Sequence, residues 1–157
     1  MAQRIPMTPE GFKILTEKLK QLKQVERPKN MAALEEARGH GDLSENAEYD
    51  AAKERQQQLS HQIKDIEHRL SLAHVINPRQ INSDKVVFGA RVTLAELDDD
   101  EHVTYYIVGS EEADISKNKI SIESPIARAM IGKGVGDEIK VTTPRGLREF
   151  EIISIEF

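Results

Sequence analysis

The sequence predicts an α+β protein in which an antiparallel helical hairpin precedes a small antiparallel β domain. In the first half of the chain, apolar residues recur at spacings of three and four. In the second half they alternate with polar residues, as in half-buried strands. Between the two patterns stand Pro78 and a polar run over 79–84, typical of a linker. We therefore expect a hairpin domain over 1–77, a linker over 78–84 and a β domain over 85–157.

Composition excludes several functional classes. The 157 residues include no cysteine, which rules out disulfides and thiolate zinc sites and suits a reducing cytoplasm. We find no signal peptide and no run of about 18 apolar residues, so we expect no membrane association. The net charge of −5 argues against a protein that binds duplex DNA by itself. It leaves open contact with nucleic acid through a larger partner.

The first arm of the hairpin begins at Thr8. Thr8 suits the N-cap, Pro9 the first helical position and Glu10 the acidic first turn. A narrow coiled-coil seam follows at Phe12, Leu15, Leu19 and Leu22. Pro28 interrupts this helix, and we expect a kink there because proline removes a hydrogen bond and clashes with the preceding turn.

The return helix has the most regular pattern in the chain. Its seam positions are Tyr49, Ala52, Gln56, Leu59, Ile63, Ile66, Leu70 and Ala73. At 1.5 Å per residue, either arm would extend roughly 45–50 Å. A dimerising coiled coil is the alternative interpretation. The seam weakens to Ala and Gln towards the turn, however, so we expect a monomer in which each arm already covers the other.

The turn between the arms carries two carboxylates, Asp42 and Glu45. Gly39 and Gly41 suit the end of the first arm, because glycine adopts the left-handed conformation that closes a helix. Ser44 suits the N-cap of the return helix. The acidic pair would then stand at the far end of a hairpin, outside any pocket.

The spacing of Asp42 and Glu45 also fits a capping box, and the residues alone favour that interpretation. Two carboxylates cannot hold Mg²⁺ tightly by themselves, because Mg²⁺ requires octahedral oxygen coordination and keeps several waters. They become useful where carboxylates and phosphates are already present, as in a nucleotide polymerase active site.

In the second half, alternation predicts strands over 87–97, 102–108, 120–122, 138–143 and 147–155. Gly89 suggests a bulge or bend within the first of them. Ser124 and Pro125 supply the N-cap and first position of a short helix that ends at Ile131. The sequence therefore predicts a small antiparallel sheet with one short helix.

The segment Gly41-Asp42-Leu43-Ser44-Glu45-Asn46-Ala47-Glu48-Tyr49 closely resembles the tip signature of the GreA/GreB transcript cleavage factors of bacterial RNA polymerase. The similarity extends from Ile5 to Ile152, and Leu43 and Glu48 are those of the GreA branch. The resemblance implies an FKBP-like fold for the β domain. A prolyl isomerase is disfavoured, because that activity needs a deep apolar pocket lined by aromatic side chains.

The resemblance further implies that the hairpin enters the secondary channel of RNA polymerase and stimulates hydrolysis of the 3′ RNA in backtracked complexes. Asp42 and Glu45 match the paired acidic residues that hold Mg²⁺ jointly with the polymerase active site. The chain would then be no enzyme and would have no cofactor of its own. The alternatives are a secondary-channel regulator that does not stimulate cleavage, and a coiled-coil adaptor unrelated to transcription.

Further residues are assigned supporting roles. Leu43, Ser44, Asn46 and Tyr49 are expected to support the tip, although Tyr49 also suits packing between the arms. A basic patch facing the 3′ end of the nascent RNA would consist of Arg38, Lys53 and Arg55. Ordinary pairing with nearby acids is the alternative for these three. The resemblance places docking to the polymerase rim in the β domain, and our candidates are Ser124, Pro125, Ile126 and Ala127, with core packing as the alternative for Ile126.

Overall fold

The computed structural model describes residues 4–41 and 46–157. The chain divides into two compact units. The first covers Phe12–Ala73, and the second combines Arg4–Gly11 with His74–Phe157. The second unit therefore includes an N-terminal segment and the linker residues, which the sequence analysis had kept apart from the β domain.

The α+β class is confirmed by the order of elements along the chain. The helices are α1 (Pro9–Gln21), α2 (Arg27–Arg38), α3 (Ala47–Ser71) and α4 (Pro125–Met130). The strands are β1 (Ile5–Met7), β2 (Ala73–Val75), β3 (Arg91–Glu96), β4 (His102–Val108), β5 (Lys119–Ser121), β6 (Glu138–Thr143) and β7 (Gly146–Glu156). Short 3₁₀ turns lie at Pro78–Gln80 and Ile115–Lys117.

The first unit is a helical hairpin in which α2 packs against α3. Its buried apolar side chains are Leu15, Leu22, Leu34, Ala37, Ala52, Leu59, Ile63 and Ile66. Four of the eight predicted seam positions of the return helix are therefore buried, whereas Tyr49, Leu70 and Ala73 are half-buried and Gln56 is exposed. In the first arm, the predicted seam residue Phe12 is 36% exposed. Helix α3 ends at Ser71, so Ala73 lies in a strand and not in the seam.

The first arm passes through a π-helical turn, Leu22–Glu26, immediately before Pro28. The N–H of Arg27 donates to the carbonyl of Leu22, five residues back, and Pro28 occupies the first turn of α2. Because proline has no N–H to donate and its ring crowds the preceding turn, regular α-helical bonding cannot continue through this point. The interruption predicted at Pro28 thus takes the form of one wide turn between two α-helices.

A five-stranded sheet with the order β5-β4-β3-β7-β6 forms the centre of the second unit. Strands β3, β4, β6 and β7 are antiparallel neighbours, whereas β5 runs parallel to β4. The prediction of a wholly antiparallel sheet was therefore wrong at β5. Its three residues follow β4 through a crossover that contains the 3₁₀ turn Ile115–Lys117, which gives the chain room to return in the same direction.

The sequence did not predict the pairing of β1 with β2 or the position of Gly89. Strands β1 and β2 form a separate two-stranded sheet, and Ile76 N donates to Met7 O at 2.8 Å. Gly89 lies in a turn before β3 and not inside a strand, with φ at +87°, and a Cβ at this position would lie 3.0 Å from Pro78 Cγ. The bulge in β3 falls instead between Thr93 and Leu94.

The core of the second unit lies between the sheet and α4. Its large side chains, including Leu94, Ile107 and Ile152, are fully buried, as are Ala127 and Met130 of α4. Burial of this apolar surface is the main term that stabilises the unit.

Candidate functional site

The predicted acidic tip falls partly outside the described residues. Asp42, Leu43, Ser44 and Glu45 are not described, but the chain on both sides is. The structure therefore defines the two ends from which the tip segment departs, at Gly41 and at Asn46.

On the first side, α2 ends at Arg38, and the N–H groups of Gly39, His40 and Gly41 make main-chain hydrogen bonds back to it. Gly39 N donates to Glu35 O at 3.2 Å, and Gly41 N donates to Arg38 O at 3.3 Å. Gly39 is right-handed with φ at −65°, whereas Gly41 has φ at +94°. Only Gly41 thus uses the left-handed freedom predicted for both glycines.

On the other side, Asn46 is the N-cap of α3. It has an extended backbone, and its Oδ1 accepts from Tyr49 N at 3.1 Å. Its Nδ2 donates in turn to Ala37 O near the end of α2 at 2.7 Å. The prediction that Ser44 caps this helix was therefore wrong. Both residue types are good caps, and the extra bond to Ala37 favours Asn46.

This capping arrangement bears directly on Asp42 and Glu45. Helix α3 begins at Ala47, so both acids precede its N-cap in sequence. Acidic side chains do occupy its first turn, but they are Glu48 and Asp50. The cap and the complement to the helix dipole are thus supplied without the acidic pair.

Another asparagine, Asn30, also bridges the two helices, and the sequence analysis did not identify it. It lies on α2 with only 6% of its surface exposed, and its Nδ2 donates to Ala52 O on α3 at 2.9 Å. The sequence does indicate this position: Leu34 follows Asn30 by four residues and Ala37 follows Leu34 by three, so Asn30 lies on the same seam.

The three basic candidates have different surroundings. Arg38 is exposed at the end of α2. Lys53 Nζ lies 6.0 Å from the centre of the Tyr49 ring, which is half-buried. Arg55 pairs with Glu26 across the hairpin at 3.8 Å, a partner that the sequence analysis did not consider.

The docking candidates surround the start of α4. Ser124 caps this helix, accepting from Ala127 N at 3.4 Å and donating to Ser121 O at 2.6 Å. Pro125 is exposed, Ile126 is half-buried against the core and Ala127 is fully buried. The surface available to a partner is therefore Pro125 with the outer edge of Ile126.

The second unit also contains a cavity of about 610 Å³ beside β3 and β4. Polar and apolar surfaces contribute similarly to its lining, and its charged side chains include Arg91, Lys119 and Glu112. The buried carboxylate of Glu112 accepts from Thr8 Oγ1 and pairs with Lys119 at 3.6 Å. Burial, assisted by the charges of Glu112 and Glu10, raises the pKa of the Tyr106 phenol above its usual range.

The described residues contain neither a metal cluster nor a membrane-spanning helix. Within 4–41 and 46–157, no three His, Asp or Glu side chains converge as a metal site. Within the same ranges, no helix is long and apolar enough to cross a membrane.

Comparison with known proteins gives full-length matches. Residues 5–75 match the family model "Transcription elongation factor, N-terminal", and residues 81–157 match "Transcription elongation factor, GreA/GreB, C-term". The chain is 54% identical over 156 residues to the transcription elongation factor GreA of Neisseria meningitidis serogroup A, and 54% identical over 155 residues to that of Ruegeria pomeroyi, with 99% of each chain covered. Among solved structures, GreA factor homolog 1 of Thermus thermophilus is 25% identical with a TM-score of 0.45, covering 99% of this chain and all of that one.

Proposed function

We propose that this chain, which belongs to the GreA/GreB family of transcription elongation factors, stimulates bacterial RNA polymerase to cleave the 3′ RNA of backtracked complexes. The hairpin would enter the secondary channel of the polymerase and bring residues 42–45 to its active site. The polymerase would perform the cleavage, and the chain would contribute side chains without being an enzyme itself.

The contribution of Asp42 and Glu45 follows from their chemistry. Carboxylate oxygens are preferred Mg²⁺ ligands, but two of them fill only part of an octahedral shell, so the site must be shared with the polymerase. Mg²⁺ held there would act as a Lewis acid and orient the attacking water. Asp42 and Glu45 would add negative charge and ligand oxygens next to the scissile phosphate. The RNA 3′ end would be reached only through the polymerase.

One observation carries this proposal: Asn46 is the N-cap of α3. The competing interpretation used Asp42 and Glu45 as a capping box for the return helix. That interpretation is unnecessary, because the helix begins after both acids and has its own cap. The N-cap of α3 therefore depends on neither carboxylate.

The test is a cleavage assay on a stalled, backtracked complex with 3′-labelled RNA. In the presence of the chain, we expect the polymerase to release a labelled 3′ fragment at a rate well above that of polymerase alone. Polymerase binding is measured in parallel. Binding with no increase in cleavage would instead identify a secondary-channel regulator that does not stimulate cleavage.

For docking, we propose that the exposed start of α4 contacts the rim of the channel. In the full-length chain, Pro125→Glu should weaken polymerase binding without lowering the melting temperature, since an acid is well tolerated in the first turn of a helix. Leu147→Glu provides a control, because Leu147 is 60% exposed on another edge of the second unit. Equal loss of affinity in both variants would show a general charge effect and not a local contact.

We also propose that the free chain is a cytoplasmic monomer. The buried residues of α2 and α3 are already used within one hairpin. Sedimentation at micromolar concentration should give a single species of the monomer mass, and a stable dimer would contradict this proposal.

A further inference from the structure

We propose that Asn30 and Asn46 are positioning residues that fix the register of α2 against α3, and with it the place from which the tip segment departs. Each carries its side-chain amide across the hairpin to a main-chain carbonyl of the other helix. The consequence for cleavage rests on the proposed function, but the register itself can be measured without the polymerase.

The two contacts run in opposite directions. Asn30 on α2 donates to Ala52 O on α3 at 2.9 Å, and Asn46 at the start of α3 donates to Ala37 O on α2 at 2.7 Å. Seven residues separate Asn30 from Ala37, and six separate Asn46 from Ala52. Both bonds therefore fit one antiparallel alignment and lie about 10 Å apart along the hairpin.

Apolar packing only weakly favours one register in the part of the hairpin where α2 faces the first half of α3. Between Asn46 and Leu59, the only buried side chain of α3 is that of Ala52. On α2, Leu34 is the one large buried side chain here, and the alanines that accompany it provide only small knobs, so sliding α2 along α3 by one turn would change less buried apolar area than in a leucine-rich seam. The Arg55–Glu26 pair also crosses here, but both side chains are partly exposed and such pairs contribute little.

Hydrogen bonding does distinguish the registers. Main-chain carbonyls recur at every helical turn, so the register depends on the side chain beside the acceptor. Ala52 leaves room for the buried Asn30 amide, whereas a slip of one turn would bring the longer side chain of Glu48 or Gln56 against it. A blocked amide would keep its N–H groups away from both a carbonyl and water, which is unfavourable. The carbonyl of Ala52 can accept a second donor besides its helical partner, so the bond adds to the helix and does not compete with it. A single polar residue in an apolar seam is known to set register at a cost in stability.

Substitutions can separate register from capping and from stability. Asn46→Ser keeps a neutral, effective N-cap but is too short to reach Ala37 while capping. Asn30→Leu replaces a buried amide by an apolar side chain of similar size at a seam position, so the melting temperature should be equal or higher. Exposed Gln57→Ser on α3 serves as a control for Asn46→Ser.

The register is measured by electron–electron distances between spin labels on Glu35→Cys and Gln58→Cys in the full chain, which has no cysteine of its own. Both positions are exposed, and they are offset along the hairpin so that an axial slip changes their separation. We expect one narrow distance for the parent. The double variant Asn30→Leu/Asn46→Ser should show a second population displaced by about 5 Å, one helical turn.

Cleavage is then measured with the unlabelled variants at saturating concentration. The double variant should be at least about tenfold slower than the parent despite its undiminished melting temperature, because ångström-scale misplacement of reacting groups is that costly. An unchanged distance distribution in the double variant would overturn the proposal. Failure of the parent itself to stimulate cleavage would overturn the proposed function alone, since the distances would still decide the register.

Discussion

The core of the second unit and the distal end of the hairpin, where α2 meets the first half of α3, are held together by different kinds of interaction. In the former, Leu94, Ile107 and Ile152 are fully buried large side chains that pack against one another. In the latter, only four of the described residues are buried, and they are two alanines, one leucine and one asparagine: Ala37, Ala52, Leu34 and Asn30. Packing alone can define the first region, whereas the second depends on individual hydrogen bonds.

This difference suits the roles that we propose. Small seam residues allow α2 and α3 to lie close together, which keeps the end that would enter a channel narrow. The cost is that little apolar area remains to hold the helices in place. A substitution in the second unit should therefore act mainly on stability, and one near the tip mainly on activity.

The largest expected effect is on stability in the second unit. Leu94→Ala should lower the free energy of unfolding by about 2–5 kcal/mol, because Leu94 is fully buried and its truncation leaves a cavity. Leu97→Ala is the matched control, since Leu97 is 42% exposed just after β3 and should change stability by about 0.5 kcal/mol or less. Urea denaturation measures both. Equal losses would mean that the core of this unit is not where its stability lies.

The next effect is on activity at the tip. Asp42→Asn and Glu45→Gln should each reduce stimulated cleavage about 100-fold or more at limiting Mg²⁺, since even outer-shell metal partners are worth 10–100-fold. Both substitutions preserve size and one acceptor oxygen, so melting temperature and polymerase binding should stay unchanged. Added Mg²⁺ should partly restore the rate. A cleavage rate equal to that of the parent, with polymerase saturated, would remove Asp42 from the mechanism.

A third substitution tests a polar contact inside the second unit. Thr8→Val should lower the free energy of unfolding by about 1–3 kcal/mol, because it removes the hydroxyl that donates to the buried Glu112 carboxylate. It also removes the acceptor of Gly11 N, 3.0 Å away. Thr16→Val is the control on the same helix, where an exposed hydroxyl bonds only to Phe12 O. A loss in the control as large as that of Thr8→Val would trace the effect to helix α1 and not to Glu112.

The sequence predicted the features that depend on local signals and missed those that depend on distant partners. Strands β4 and β6 have the predicted bounds, because alternation and adjacent turn residues are local signals. Strands β1 and β2 were missed, since each has three residues and its partner lies more than sixty residues away. The parallel direction of β5 likewise depends on a non-local pairing.

At the candidate site, the limit was a choice between equally good local signals. Ser44 and Asn46 are both favourable N-caps, and no rule of local sequence separates them. The bond from Asn46 to Ala37 O decides between them, and it exists only once the two helices are paired. The acidic pair was identified through its resemblance to a family signature, because spacing alone favoured a capping box.

The smallest expected effect concerns ion pairs on the two units. Arg148 donates to both carboxylate oxygens of Glu96, at 3.0 and 2.6 Å, and lies 5.2 Å from the Phe150 ring. In the hairpin, Lys23 makes a single contact with Glu67 at 3.2 Å, and both side chains are substantially exposed. A bidentate pair holds a defined geometry, whereas a single exposed contact loses most of its attraction to solvent screening and side-chain entropy.

Arg148→Met should therefore destabilise the chain by about 0.5–1 kcal/mol, and Lys23→Met by less than about 0.5 kcal/mol. Methionine keeps much of the aliphatic length of both side chains, so the comparison isolates the charged groups. Urea denaturation at low and high salt measures the two losses, and both should shrink as salt screens the pairs. A larger loss for Lys23→Met would mean that charge pairs hold the hairpin together more strongly than they hold the sheet.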